Sequence, residues 1–136
     1  MGSTVVHSCE KMNFNIQHVA NKDYFLLEVT GGANVDILKG LVKHVLDHPA
    51  WHEDIPTLVD LRGFSASGLT SDDIFQLADL FKSINTQLGS GNTALVVSNE
   101  LDFGLARMWQ MMTEEHVKME IDVFKDIEEA KEWLFR

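Results

Sequence analysis

Hydrophobic and polar residues alternate along the first part of the chain in a way that predicts two paired strands. In residues 13–20, NFNIQHVA, Phe14 and Ile16 fall on one side and the neighbouring polar residues on the other. Residues 24–30, YFLLEVT, are apolar and rich in residue types that favour strands. The short stretch NKD joins the two segments, so we predict a β-hairpin.

The apolar residues then adopt the spacing of a helix. After the stretch GGAN, this spacing continues to about residue 47, and Pro49 ends the helix because a proline disfavours the α conformation of the residue before it. Asn34 is a suitable N-cap. The remaining pattern predicts the following elements: strand 56–62, loop 63–70, helix 71–88, strand 93–98, helix 99–113, edge strand 117–124 and helix 126–135.

The order of these elements, β-β-α-β-α-β-α-β-α, indicates the fold class. Parallel neighbours in a sheet need crossover connections, which the helices after the hairpin provide. We therefore expect an α/β fold with five strands, a mostly parallel sheet, an N-terminal hairpin and four helices. The length of 136 residues is typical of one domain, and we assign residues 1–136 to a single domain.

Composition and charge narrow the classes of partner. The net charge is −10, from 11 basic and 21 acidic residues, which argues against nucleic acid and against electrostatic attachment to an anionic membrane. Cys9 is the one cysteine, so there is no disulfide framework, as is typical of a reducing cytoplasm. No apolar run has the length of a membrane span, and no signal-peptide pattern is present. We expect a cytoplasmic protein.

Three stretches of the chain resemble the SpoIIAA-like proteins, which are bacterial relatives of the STAS domain of anti-sigma-factor antagonists. They are IPTLVDLRGFSASGLTSDDI, LDFGLARMWQMM and IDVFKDIEEAKEWL. The fold of that family is also likened to CRAL-TRIO lipid carriers. The resemblance covers most of the chain after about Tyr24 and implies a five-stranded sheet with helices largely on one face. It further implies either regulatory protein–protein contact or binding of apolar small molecules, including at a membrane.

The predicted loop 63–70, GFSASGLT, is a candidate for regulation. Anti-sigma antagonists carry an Asp-Ser-Ser-Gly-like motif at the start of the second helix, and the serine after the Asp is phosphorylated. The corresponding stretch here is SASGL, where Ser65 replaces the Asp and Ala66 occupies the position of the phosphoacceptor. Ser65, Ser67 and Ser71 remain as hydroxyls open to modification. The alternative is a plain turn, in which the glycines permit the bend and the serines satisfy backbone groups.

No pattern for catalysis or nucleotide binding accompanies this loop. Asp60 and Arg62 share a face of the preceding strand, where we expect a structural ion pair or loop anchor rather than a catalytic carboxylate. Acidic residues already complement the dipoles of two predicted helices and would repel a phosphate: Asp72, Asp73, Glu100 and Asp102. Walker, GxGxxG and nucleophile-elbow patterns are absent from the sequence. We predict no enzymatic activity, no catalytic residue and no cofactor.

The segment HVLDHPAWHED raises the question of a metal site. His44, His48 and His52 are spaced by four, and histidines at that spacing can share a metal on a helix. Pro49 interrupts the helix between the second and third histidine, so the three cannot lie on one helical face. We expect a solvated helix end and no metal.

The predicted helix 99–113 is apolar almost all round. Its expected core face consists of Leu105, Met108, Trp109 and Met112. Phe103 and Met111 fall outside this face, towards Arg107 and Gln110. Such a helix is either covered by its neighbours or meets a second surface, and methionine suits adaptable binding surfaces.

Both interpretations of the excess of apolar side chains stay open. The helix 71–88, with Phe75 and Leu80 outside its own apolar stripe, can cover it. Otherwise the seam between the two helices is a ligand or partner surface, with walls that include Phe75, Leu80, Phe103, Met108 and Met111.

Two functions are consistent with the sequence. We predict first a non-enzymatic binding domain for a small apolar molecule or lipid, or for peripheral membrane contact, that uses this seam. The alternative is a STAS-like regulatory module that binds a protein partner, or a second copy of itself as a homodimer, through residues 63–73 and helix 71–88.

Overall fold

The structure is a computed structural model that describes residues 11–136, so Cys9 lies outside the described residues. Five strands form one sheet in the order in which they occur along the chain: β1 (Asn13–Val19), β2 (Tyr24–Gly32), β3 (Thr57–Ser65), β4 (Thr93–Val96) and β5 (Ile121–Phe124). β1 and β2 pair antiparallel, and each later pair of neighbours is parallel. The predicted hairpin and mostly parallel sheet are confirmed.

Four helices lie in the connections between the parallel strands, and a fifth follows β5: α1 (Val35–Leu46), α2 (Ser71–Ser83), α3 (Asn85–Leu88), α4 (Glu100–Glu114) and α5 (Ile127–Leu134). The predicted α/β class is therefore confirmed, with one helix more than expected. The additional helix arises because Ile84, with φ −108° and ψ 14°, interrupts the helix predicted for 71–88. The short α3 that follows places Leu88 in the core.

Polar N-caps define where the four longer helices begin. Asn34 and Asn99 accept a backbone hydrogen bond from the third residue after them, as N-cap side chains do. Thr70 and Asp73 form a reciprocal capping box, in which the side chain of each accepts a hydrogen bond from the backbone N–H of the other. These caps, all polar residues that precede an apolar helical period, explain why the helix starts were predictable from sequence.

Two strands differ in extent from the prediction. The strand predicted for 56–62 continues to Ser65, because residues 63–65 pair with residues 30–32 of β2 after a bulge in β3, where residues 61 and 62 lie opposite Val29. The strand predicted for 117–124 begins only at Ile121. Before it, the backbone N–H of Lys118 donates to the side chain of Asn85 rather than to a neighbouring strand.

The helices cover the two faces of the sheet unequally. α1, α2 and α4 pack on one face, which carries residues such as Phe25, Val59 and Leu95. On the other face, α5 packs through Ala130 and Leu134 against side chains of β3 and β4. Most of the helical mass therefore lies on one face, as the resemblance implied. Within residues 11–136, no helix combines the length and apolarity needed to cross a bilayer.

Candidate functional site

An apolar cavity of about 190 Å³ lies between the sheet and the three helices on its more heavily covered face. Each of these elements contributes to its wall, as the following examples show: Val29, Val59 and Leu95 from the sheet, Leu41 from α1, Leu77 from α2 and Leu105 from α4. Protein interiors are normally packed with few voids larger than a water molecule. A cavity lined by apolar groups, of roughly 150 Å³, is sufficient to bind benzene.

The cavity wall contains very few polar groups. Among the described lining residues, Asp102 is the only charged side chain, and it is 3% exposed. One carboxylate oxygen accepts from the backbone N–H of Ala66 at 3.1 Å, and the other accepts from the side-chain amide of Asn99 at 3.3 Å. Asp102 therefore connects the first turn of α4 to the loop after β3, and both its oxygens already have protein donors.

Trp109 is one of the residues that line the cavity. The residue is 9% exposed, and its ring makes an edge contact with the ring of Phe81, at 4.9 Å between centroids. Its indole N–H has no hydrogen-bond partner within the described part of the chain. Buried polar groups are usually partnered. The nitrogen itself has almost no accessible surface, so it is an unpartnered donor enclosed by protein atoms.

The five predicted wall residues lie elsewhere on the same two helices. None of Phe75, Leu80, Phe103, Met108 and Met111 lines the cavity. Phe75 and Met111 are 62% and 68% exposed, and the other three are partly buried. α2 and α4 do pack against each other, and the cavity lies beneath them, next to the sheet. The role of the five residues as a ligand or partner surface stays a prediction.

Two residues of α4 that were expected outside its core face, Gln110 and Phe103, make contacts with other residues. Gln110 was expected on the side away from the core, but it is 7% exposed and its amide donates to the carbonyl oxygen of Ile121 in β5 at 2.6 Å. The side-chain oxygen of Gln110 accepts from Arg107. Two cations, on Arg107 and Lys125, lie over the ring of Phe103 at 5.2 and 5.5 Å. This part of α4 is therefore attached to the edge strand rather than free.

Asp60 and Arg62 form the predicted ion pair on the face of the sheet opposite the cavity. The Arg62 guanidinium donates to both carboxylate oxygens of Asp60, at 2.9 and 2.8 Å. Hydrogen bonding from Arg62 lowers the pKa of Asp60 below its ordinary value of 3.8. With its charge already compensated, Asp60 is not arranged as a general base.

The serines of the loop bond to each other. The hydroxyl oxygens of Ser65 and Ser67 are 3.0 Å apart, and the backbone N–H of Ser67 lies 3.5 Å from the Ser65 hydroxyl. Both residues are exposed. This arrangement is that of an ordinary turn, and modification of these serines stays a prediction.

The histidines form a cluster that the sequence did not indicate. His18 and His52 contact the two carboxylate oxygens of Asp23 at 2.8 and 2.7 Å, whereas His48 accepts from the backbone N–H of Ala50. His44 is exposed at the end of α1, beside the ring of Phe14. Within residues 11–136, no three of the His, Cys, Asp and Glu side chains are arranged so that they could hold one metal ion together.

The pairing within this cluster changes two pKa values. The pKa of Asp23 is lowered from 3.8, first by the hydrogen bond from His18 and then by that from His52. The pKa of His52 is raised from 6.5, first by the hydrogen bond with the Glu53 carbonyl and then by Asp23. Because Asp23 lies in the hairpin turn and His52 after α1, only tertiary structure brings them together.

The mixed sheet, its hairpin and the arrangement of its helices define a SpoIIAA-like α/β fold. The chain is similar to the crystal structure of an uncharacterized protein from the DUF3478 family with a SpoIIAA-like fold, from Shewanella loihica PV-4. The two superpose with a TM-score of 0.58 at 17% sequence identity, over 90% of this chain and 93% of that chain. At this identity the likeness shows the fold alone. No protein-family model matches the sequence, and no curated protein matches it.

Proposed function

We propose that this protein is a non-enzymatic binding domain that holds a small apolar molecule in the cavity between the sheet and helices α1, α2 and α4. The observation that carries the proposal is the volume of about 190 Å³ in an almost wholly apolar wall. An apolar molecule that occupies this space would remove apolar surface from water and gain packing contacts with the wall, and both effects favour binding.

The chemistry of the wall favours binding over catalysis. Asp102, the charged group of the described lining, already accepts hydrogen bonds on both of its oxygens. Asp60, the other carboxylate considered from sequence, is paired with Arg62 on the opposite face of the sheet. Neither group combines an available lone pair with a neighbouring nucleophile in the manner of a catalytic site.

A substitution that fills the cavity with a larger side chain tests this function directly. Isopropylbenzene, a neutral hydrocarbon of suitable size, is titrated into the wild-type protein, Ala106→Leu and Gly104→Leu. Ala106 lines the cavity, whereas Gly104 on the same helix is exposed and a Cβ added there meets nothing within 4 Å. We expect the affinity to fall by about tenfold or more in Ala106→Leu, because the added carbons occupy the binding space. The affinity of Gly104→Leu should match that of the wild type.

Two results would contradict the proposal. One is the absence of hydrocarbon binding to the wild-type protein, and the other is equal binding by all three proteins, which would place the hydrocarbon outside the cavity. Circular dichroism and urea unfolding of each variant show whether the fold is intact. Native mass spectrometry of protein purified without organic solvent adds a search for a retained cellular ligand.

The exposure of Phe75 and Met111 favours a second candidate function, the regulatory protein–protein contact that the resemblance implied. Replacement of Phe75 or Met111 by serine should abolish the binding of a protein partner to this surface. The variant Ala106→Leu should still bind that partner. A cavity ligand would respond in the opposite way, so the same variants separate the two functions.

A further inference from the structure

Part of the cavity wall reaches the protein surface between α1 and α2. The cavity is open to solvent rather than enclosed. Its lining from α1 includes one buried row, Leu41 and Val45. A second row with four-residue spacing is half-buried: Leu38, Val42 and Leu46. From α2, two lining residues are half-buried as well: Leu77 and Phe81. We call these five half-buried residues the rim.

The half-buried row of α1 lies on the side of that helix that faces α2. His44, on the other side of α1, contacts the ring of Phe14 in β1. Towards α2, the Nζ atom of Lys39 donates to the side-chain oxygen of Gln76 at 2.5 Å. Val42 is three residues after Lys39, so these two side chains are neighbours on the helix surface. Lys39 therefore lies beside the rim, where its hydrogen bond joins the two helices.

The charge of Lys39 has no carboxylate partner within residues 11–136, since none of the ion pairs there includes it. An ammonium group has three N–H donors, and the oxygen of Gln76 accepts from one of them. The nearby carboxylate of Asp72 accepts from the amide nitrogen of Gln76 instead, at 2.8 Å. Lys39 is thus a half-buried cation with donors available to an anion.

The cavity wall and its rim differ in chemistry. The wall is apolar, and no lysine or arginine occurs among the described lining residues. Its one charged side chain, Asp102, already accepts hydrogen bonds on both oxygens, from Ala66 and Asn99. A molecule that matches both regions has an apolar chain for the wall and an anionic group at the end that reaches the rim.

From these observations we infer that the ligand is a carboxylic acid with one apolar chain, whose chain lies in the cavity and whose carboxylate bonds to Lys39. This inference rests on the function proposed above and narrows it to a chemical class. At the rim the carboxylate keeps contact with water, so its desolvation costs little, and a charge-assisted hydrogen bond is stronger than a neutral one. The net charge of −10 favours a free molecule over an anionic membrane surface as the source of this group.

Three compounds with the same unbranched eight-carbon chain separate the parts of this inference. At neutral pH octanoate is an anion, octan-1-ol is neutral and octylammonium is a cation, and calorimetry gives their dissociation constants. We expect octanoate to bind the wild-type protein about tenfold more tightly than octylammonium does. All three should bind more weakly to Ala106→Leu, because the chain of each occupies the cavity.

The contribution of Lys39 is measured by Lys39→Met, which keeps an unbranched apolar side chain and removes the charge. The quantity of interest is the affinity for octanoate divided by that for octan-1-ol, because this ratio cancels effects on the chain. We expect the ratio to fall about tenfold. Lys131→Met is the matched control, since it removes the same charge from α5, on the opposite face of the sheet. Its ratio should equal that of the wild type.

A second variant covers the case in which Lys39→Met alters the fold, which circular dichroism and urea unfolding would reveal. Gln76→Glu keeps Lys39 and places a carboxylate of the protein where the amide oxygen accepts its hydrogen bond. This internal anion competes with that of the ligand, so the ratio of octanoate to octan-1-ol affinity should again fall. An unchanged ratio in Gln76→Glu would contradict the contact between the ligand and Lys39.

The outcomes distinguish this inference from the proposed function. If the ratio is unchanged in Lys39→Met, or falls equally in Lys131→Met, the role of Lys39 is wrong. If octylammonium binds as tightly as octanoate, the anionic character is wrong. If Ala106→Leu binds octanoate as the wild type does, the chain lies outside the cavity and the inference fails. In each case the proposed function stands as long as isopropylbenzene binds and Ala106→Leu weakens it.

Two further results would overturn the inference more broadly. Sedimentation of the protein with vesicles of equal parts phosphatidylcholine and phosphatidylglycerol, but not with phosphatidylcholine alone, would make a membrane lipid rather than a free acid the source of the anion. If neither isopropylbenzene nor any of the three eight-carbon compounds binds to the wild-type protein, both the inference and the proposed function fail.

Discussion

The carboxylate of Asp102 accepts a hydrogen bond from the backbone N–H of Ala66 across 3.1 Å, and this bond attaches the first turn of α4 to the loop after β3. From sequence, Asp102 was one of several acidic residues that complement a helix dipole. Its burial to 3% exposure distinguishes it from the others, since Glu100 in the same turn is exposed. The bond therefore fixes one wall of the cavity as well as a helix start.

Replacement of Asp102 by alanine should lower the free energy of unfolding by about 1–3 kcal/mol, because the buried N–H of Ala66 then loses its acceptor. Urea denaturation measures this change. Glu100→Ala is the control. Because Glu100 is an exposed residue of the same turn, this substitution should change the free energy of unfolding by less than about 0.5 kcal/mol. If the two substitutions lowered the free energy of unfolding equally, Asp102 would stabilise the protein through its charge near the helix dipole rather than through its hydrogen bond with Ala66.

The cluster of Asp23, His18 and His52 should make stability depend on pH. The folded state raises the pKa of His52 above 6.5, so its contribution is complete below pH 6.5 and is lost as the pH rises through the folded value. The folded state lowers the pKa of Asp23 below 3.8, so its contribution is complete above pH 3.8 and is lost as the pH falls through the folded value. Both contributions are complete between pH 3.8 and 6.5.

Asp23→Asn tests this coupling. The pKa of His52, followed by NMR titration, should fall towards its ordinary value, although the hydrogen bond with the Glu53 carbonyl still raises it. Glu53→Gln keeps that carbonyl and Asp23, so it should leave the His52 pKa as in the wild type. A His52 pKa that Asp23→Asn does not alter would rule out the Asp23 contact as a cause.

Gly104 offers a gain in stability. It lies inside α4, is exposed, and an added Cβ would meet nothing within 4 Å. Gly104→Ala should therefore raise the free energy of unfolding by about 0.5–1 kcal/mol, through the higher helix propensity of alanine. The opposite sign is expected for Gly91→Ala, because its Cβ would lie 2.5 Å from the carbonyl oxygen of Ile55. Thermal unfolding of the two variants measures whether each substitution raises or lowers the stability of the protein.

Phe75 and Met111 should be dispensable for folding. Each is more than half exposed, so Phe75→Ser and Met111→Ser should each change the free energy of unfolding by less than about 0.5 kcal/mol. Phe81, whose ring contacts that of Trp109, provides the comparison. Phe81→Ala should cost about 2–4 kcal/mol in denaturant titration. A large loss with either serine variant would mean that these side chains belong to the core.

The elements of this fold were predictable where local pattern determines them. Alternation in 13–30 defined the hairpin, and polar residues before an apolar helical period defined the helix starts. The extension of β3 to Ser65 was not predictable, because it depends on pairing with residues 30–32 of β2 beyond a bulge in β3. The burial of Gln110 was missed for a similar reason, since its partner is a carbonyl of β5.

The cavity could not be predicted from helical periodicity. Periodicity correctly directed Leu105 and Trp109 towards the interior, but it carries no information on whether the side chains of three helices fill the space above the sheet. The excess of apolar residues was therefore assigned to the outside of α4. The unpartnered polar atoms of Trp109 and Thr113 were likewise not predictable, because whether a buried donor finds an acceptor depends on the packing of several elements.

The two outermost strands of the sheet differ in length, β1 having seven residues and β5 four. Among residues 11–136, the outer edge of β1 thus presents more unpaired backbone groups to an approaching chain than that of β5 does. If concentration or heat drives molecules to join sheet to sheet, the contact should form along β1. A proline at an outward-facing position of that strand would then be the economical way to keep concentrated samples monodisperse.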